Sequence, residues 1–267
     1  MVKAMRMHKV GGPEVLTWED VEVPAPKQGE ALVRHLAVGL NYIDTYHRSG
    51  LYPVPMPAII GSEGAGVVEA IGPGVTEVAV GDRVAYGNAP IGAYTEKRVL
   101  PAHRLLRLPQ AITDKQAASM MLKGMTAQYL IRRTYRVKSG ETVLVHAAAG
   151  GVGLIMCQWL KHLGATVIGT VGDKAKGEIA GKHGCDHIIL YRDEDFAARV
   201  KDITGGKGVP VVFDGVGKDT WDKSLDCLSV RGLMVSFGNA SGAVPPINIG
   251  ILNTKGCLLY TSPSPRD

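Results

Sequence analysis

Along the chain, short apolar runs broken by glycine and proline give way, near residue 100, to longer runs with helical spacing. Ala31-Leu32-Val33-Arg34 and Ala65-Gly66-Val67-Val68-Glu69-Ala70 read as strands, as does Arg83-Val84-Ala85-Tyr86 after the turn Gly81-Asp82. They predict a compact, irregular β domain. Ala117 to Tyr135 lacks proline and has helix-compatible spacing, which predicts a helix leading from this domain into a second. Thr142 to Ala147 then reads as a strand, and Ala148 to Gly153 as a glycine-rich turn. Val152, Ile155, Met156, Trp159, Leu160 and Leu163 fall on one helix face, with Gly164 placed to end that helix in a left-handed conformation. Strand-like and helix-like segments alternate afterwards: 166–171, 186–191, 195–203, 209–214, 220–228 and 233–237. Such alternation predicts a parallel sheet covered by helices, so the chain reads as α/β in its second part.

Composition narrows the function classes. At 267 residues there is room for two cores, and 45% hydrophobic with 21% charged residues is an ordinary globular balance. The net charge of +5 is too mild to argue for nucleic acid. Lys97, Arg98, Arg104 and Arg107, like Arg132, Arg133, Arg136 and Lys138, lack interleaved aromatics and read as solvated faces. Met1 to Leu16 holds no signal-peptide core, and no apolar run reaches the roughly 18 residues that span a membrane. Cys157, Cys185, Cys227 and Cys257 lie far apart, a spacing that disfavours a disulfide framework and a structural zinc site, so a cytoplasmic setting is expected.

The chemistry begins at Ala148-x-Gly150-x-x-Gly153, between a strand and a helix. Gly150 lets the backbone approach a pyrophosphate, Gly153 lets helix pack on strand, and the helix N-terminus offers amides and a positive dipole end. A dinucleotide is the expected cofactor. At the end of the second strand, Thr170-Val171-Gly172-Asp173-Lys174-Ala175-Lys176 leaves space for a phosphate and supplies Lys174 and Lys176. NADPH is therefore expected over NADH. Asp173 either contacts the ribose or caps the next helix.

Taken together, Gly11 to Glu14, Asn41 to Tyr46, Arg48 to Tyr52, Gly61 to Gly66, Ala147 to Gly153 and Ser236 to Asn239 carry a specific likeness. The chain resembles a medium-chain dehydrogenase/reductase, and within that superfamily the quinone oxidoreductases of the zeta-crystallin type, from about residue 5 to about residue 256. The resemblance implies a GroES-like catalytic domain over 1–124 and a Rossmann NADPH-binding domain over 125–256, with the active site in the cleft between them. Zinc-dependent relatives place a cysteine at or near Asn41 and a histidine in a Gly-His-Glu segment. This chain has Asn41 and Gly61-Ser62-Glu63, and no cluster of four cysteines between residues 85 and 115. Catalytic zinc needs three good protein ligands, so no metal is expected. Hydride delivery to an electron-poor acceptor, a quinone or a conjugated enone, needs alignment and oxyanion stabilisation rather than a Lewis acid.

By the same resemblance, Asn41, Tyr42, Asp44 and Tyr46 line the nicotinamide side, with Tyr129 from the connecting helix. Gly150, Gly151, Val152 and Gly153 hold the pyrophosphate. Gly172, Lys176 and Tyr191 surround the 2′-phosphate, and Phe237 and Gly238 approach the nicotinamide ribose. Asn41, Tyr46 and Tyr52 are the catalytic candidates, the tyrosines as hydrogen-bond donors to the acceptor oxygen or, alternatively, as loop packing. His146 reads as a packed core residue. The resemblance ends after Gly256. Residues 257–267, closing Ser-Pro-Ser-Pro-Arg-Asp, read as an atypical tail on a truncated sheet, because proline removes ladder donors. By the same resemblance the protein, when full length, is expected to be a homodimer. An alkenal or enone C=C reductase is a rival reading, and a non-catalytic crystallin-like or RNA-binding protein is another.

Overall fold

The computed structural model describes residues 1–88, 90–254 and 256–261. The chain divides into two compact units, one from Met1 to Met125 and the other from Thr126 onward.

The first unit is antiparallel. Its strands are β1 (Val2–Met7), β2 (Leu16–Val21), β3 (Glu30–Val38), β4 (Ala58–Ile59), β5 (Glu63–Ile71), β6 (Arg83–Gly87), β7 (Lys97–Pro101) and β8 (Leu106–Arg107). They form a three-stranded sheet in the order β2-β1-β4 and a five-stranded sheet in the order β7-β3-β5-β6-β8. Alternation along β3 and β6 sends Ala31, Val33, Val84 and Tyr86 into a core shared with Val68 and Leu100. Each valine or leucine among them contributes roughly 1.5–3 kcal/mol by leaving water. Helix α1 (Tyr42–Ser49) follows β3 and stops at Gly50, whose φ is +84°. Helix α2 (Asp114–Tyr129) starts three residues before the expected position, and its continuation, Leu130–Thr134, widens into a π turn.

In the second unit the strands are β9 (Thr142–Val145), β10 (Thr166–Val171), β11 (His187–Leu190), β12 (Val209–Asp214), β13 (Leu228–Ser236) and β14 (Leu258–Thr261). They alternate with α3 (Gly151–His162), α4 (Lys174–Lys182), α5 (Phe196–Ile203) and α6 (Trp221–Cys227). Every ladder is parallel, in the order β11-β10-β9-β12-β13-β14. Both faces are covered. Val143, Val145 and Val167 pack against Met156 of α3 and Ala180 of α4, while Leu144, Ile168 and Val212 pack against Phe196 and Trp221. Gly164 ends α3 at φ +80°, as its placement predicts. The strand order reverses between β9 and β12, and in open parallel sheets ligands bind at the carboxyl ends beside that reversal.

One boundary needs correction. Residues 257–267 were expected to stand outside the sheet as a tail. Instead Leu258–Thr261 is its sixth strand, registered Leu233↔Leu258 through Ser236↔Thr261. The segment Leu258-Leu259-Tyr260-Thr261 is apolar and free of proline, so its ladder donors are intact. The Ser-Pro repeat itself lies outside the described residues.

Candidate active site

In the first unit, Asn41 precedes α1 in extended conformation and donates its backbone N–H to Asp44 Oδ2 at 2.9 Å, closing the first turn. Tyr94 Oη donates to the same oxygen at 2.7 Å. Asp44 Oδ1 has no partner among the described residues and is buried, as is His47 Nδ1. Burial is the largest influence on Asp44 and raises its carboxyl above the usual range, against the bonds from Tyr94 and Asn41. Burial lowers His47, with the Asp44 charge working the other way.

The helix carries an aromatic cluster. Ring centroids of Tyr42 and Tyr46 lie 5.5 Å apart and those of Tyr46 and Tyr52 5.1 Å, both edge-on. Tyr46 is buried, Tyr52 half-buried and Tyr42 exposed. Asn41, Tyr42, Asp44, Tyr46 and Tyr52 are thus brought together at one helix.

Behind Asn41 lies an ion pair that the sequence reading did not single out. Asn41 Nδ2 donates to Glu63 Oε2 at 2.7 Å, and Lys123 Nζ donates to Asn41 Oδ1 at 2.9 Å. Lys123 also reaches Glu63 Oε2 at 3.4 Å and the Leu40 carbonyl at 3.3 Å. Glu63 is fully buried, and its second oxygen accepts from the Leu122 backbone N–H at 2.9 Å. The Gly61-Ser62-Glu63 segment was a signal for Glu63. Lys123 gave none, because a lysine in a helix ordinarily reads as solvated. A cavity of about 330 Å³ beside this pair is lined by Val38, Leu40, Ser119 and Lys123, among others.

In the second unit, Gly150 caps α3, and its N–H bonds the Ala147 carbonyl at 2.8 Å. A Cβ on Gly153 would sit 2.3 Å from the Ala147 carbonyl oxygen, so only glycine fits that approach. The first-turn amides at Gly151, Val152 and Gly153 lack intrahelical acceptors, which is the arrangement phosphates use.

At the end of β10, a Cβ on Gly172 would lie 3.2 Å from Tyr191 Oη and 3.6 Å from the Arg192 guanidinium. Asp173 caps α4 by accepting from Lys176 N at 2.9 Å, the capping role that its sequence position offered. That bond, more than any other influence, holds its carboxyl below the usual range. Lys176 Nζ stands 3.5 Å from the same carboxylate. Gly172, Lys176 and Tyr191 therefore cluster, and Arg192 joins them unforeseen, although it follows Tyr191 directly. Phe237 and Gly238 leave β13 against the β12 exit: Phe237 would come 3.0 Å from a Cβ on Gly215, and a Cβ on Gly238 would meet the Gly215 carbonyl at 2.7 Å. Tyr129 ends α2 half-buried on the second unit's core. His146 is buried core, between Thr170 Oγ1 and Ser224 Oγ, each at 2.9 Å.

An antiparallel β unit followed by a parallel dinucleotide-type sheet defines a two-domain dehydrogenase or reductase. Residues 27–110 match the alcohol dehydrogenase GroES-like domain, and residues 151–263 match the zinc-binding dehydrogenase family, seven residues beyond Gly256 where the likeness was expected to end. The chain is 54% identical over 265 residues to a quinone oxidoreductase of Pseudomonas aeruginosa, covering 99% of this chain and 82% of the relative. A 2-haloacrylate reductase of Burkholderia sp is 50% identical over 272 residues, covering 99% and 81%. The crystal structure of Escherichia coli quinone oxidoreductase complexed with NADPH superposes with a TM-score of 0.96 at 51% identity, covering 99% of this chain and 81% of that one. The chain belongs to the quinone oxidoreductase family of medium-chain dehydrogenases/reductases.

Proposed function

We propose that the protein reduces quinones with NADPH by hydride transfer. The observation that carries this reading is the cradle at Gly150–Gly153, where a Cβ on Gly153 would block the backbone approach, together with the cations Lys176 and Arg192 around the end of β10. The residues present fit the cofactor. The first-turn amides of α3 suit a pyrophosphate, and Gly172, Lys176, Tyr191 and Arg192 suit a 2′-phosphate. The E. coli relative, solved with NADPH, supports the same choice.

When bound, NADPH supplies the hydride. The chain's own part is positioning and electrostatics. Asn41, Tyr46 and Tyr52 offer hydrogen-bond donors where negative charge builds on the acceptor oxygen. The cluster of Tyr42, Tyr46 and Tyr52, packed edge-on to one another, offers an aromatic acceptor ring surfaces to stack on, and Asp44 fixes the first turn of α1 that carries it. The test is NADPH oxidation measured over a panel of quinones and enones, with NADH as the comparison cofactor. Turnover with quinones and preference for NADPH are expected. Inactivity with every quinone would overturn the reading. The 2-haloacrylate reductase relative supports a second reading, reduction of an activated C=C bond, which the enone arm of the panel separates.

Two finer features belong to the same proposal. Cys157 and Cys185 are thiols buried in the core of the second unit, which supports a reducing, cytoplasmic setting. Among the described residues strand β14 is the last in its sheet order, and Leu258 on it is 60% exposed, which supports pairing with a second copy. Sedimentation showing a monomer at micromolar concentration would remove the dimer.

A further inference from the structure

Glu63 and Lys123 meet Asn41 from opposite ends of its carboxamide. A carboxylate only accepts hydrogen bonds and an ammonium only donates them. Asn41 must therefore turn its amino group to Glu63 Oε2, at 2.7 Å, and its carbonyl to Lys123 Nζ, at 2.9 Å. Rotating the carboxamide by half a turn would set carbonyl against carboxylate and amino group against ammonium. The clamp is itself firmly built. Glu63 is fully buried and tied to the Leu122 N–H at 2.9 Å. Lys123 bonds the Leu40 carbonyl at 3.3 Å. A Cβ on Gly39 would lie 2.2 Å from both Glu63 Oε2 and the Ala118 carbonyl oxygen, so the chain keeps glycine where the pair needs room.

We propose that Glu63 and Lys123 are positioning residues for the reduction, acting through Asn41. They lock its carboxamide so that the second Nδ2 hydrogen is presented as a donor to the anion building on the acceptor. The ammonium on Oδ1 polarises the amide and strengthens that donor, as linked hydrogen bonds do in a low-dielectric site. The inference rests on the quinone-reduction reading.

The test is a double-mutant cycle on kcat, with Lys123→Met made in wild-type and in Asn41→Ala backgrounds. Loss of one oxyanion donor costs about 100- to 1,000-fold, so loss of its orientation should cost about 10- to 100-fold in kcat. The dissociation constant for NADPH, read from fluorescence without turnover, should stay within about twofold, and in the Asn41→Ala background Lys123→Met should add no more than about twofold. Lys123→Met leaves a buried carboxylate without its cation, which endangers folding. The neutral pair Glu63→Gln with Lys123→Gln avoids that and frees the carboxamide to flip. It should lose kcat to a similar degree while its thermal midpoint moves little. Equal losses in both Asn41 backgrounds, or a neutral pair with wild-type kcat, would overturn the proposal. Wild-type protein inactive with every acceptor would overturn the functional reading instead, and this one with it.

Discussion

Asp44 takes two donors on one carboxylate oxygen, the Asn41 N–H and Tyr94 Oη, and has none on the other. Its carboxyl is raised above its unfolded value chiefly by burial, so the folded chain holds that proton more tightly than the unfolded chain does. The stability this adds is complete below the ordinary aspartate pKa and disappears as pH rises through the folded value. Asp44→Asn keeps an acceptor for Asn41 and Tyr94 but never ionises. Urea denaturation should therefore show the variant gaining on wild type as pH rises above the ordinary aspartate pKa, and a difference that is flat with pH would refute the assignment. A second residue-level expectation concerns Lys176 and Arg192. Replacing either with glutamate puts like charge beside the 2′-phosphate and should raise KM for NADPH by about tenfold or more while leaving NADH nearly unchanged. Equal losses with the two cofactors would deny that the cluster reads the phosphate.

Among the elements, β3 contains a group sensitive to acid. His35 Nδ1 lies 2.6 Å from the Thr95 carbonyl oxygen, so Nδ1 carries the proton, and Nε2 accepts from Tyr86 Oη at 2.7 Å. Burial pushes His35 from 6.5 down to about 4. A lowered histidine contributes stability in full above its unfolded pKa, and that contribution is lost as pH falls toward the folded value. The first unit should weaken between about pH 6.5 and pH 4, by up to about 3 kcal/mol. His35→Gln should flatten that acid limb, and an unchanged limb in thermal melts would assign it elsewhere. The same strands show which parts of the fold were legible. β3 alternates in its first half, and β5 and β6 are short apolar runs bounded by turn residues, so all three could be read directly. β1 and β2 could not, because charged residues such as Lys3 and Asp20, paired across them at 2.7 Å, mask the period of two. β14 was set aside because the prolines beyond it coloured the reading of four residues that contain none.

At the scale of the whole molecule, the residues proposed for the cofactor were more legible than those proposed for the acceptor. A glycine turn between a strand and a helix is a local pattern, whereas Asn41, Glu63 and Lys123 meet across 82 residues of sequence, a proximity that no spacing encodes. That meeting bears on metal use. Asn41 and Ser62 stand where zinc-dependent relatives are expected to hold thiolate and imidazole, and neither amide nor hydroxyl is a good ligand for zinc. Among the described residues, no group of three or more His, Cys, Asp or Glu side chains is arranged to hold a metal ion. The buried Glu63 carboxylate beside Asn41 already faces a cation in Lys123 at 3.4 Å. A zinc ion placed there would have to compete with an ammonium that is covalently tethered and donates to Glu63, Asn41 and the Leu40 carbonyl. Full activity should therefore persist after dialysis against a strong chelator, with zinc far below one equivalent by elemental analysis. Lys123→Met should not convert the site to zinc dependence, because two of the three ligands a catalytic zinc needs would still be missing. Activity lost on chelation and restored by added zinc would mean that this acceptor site works by Lewis-acid chemistry after all, and that the Lys123 clamp on Asn41 has been misread.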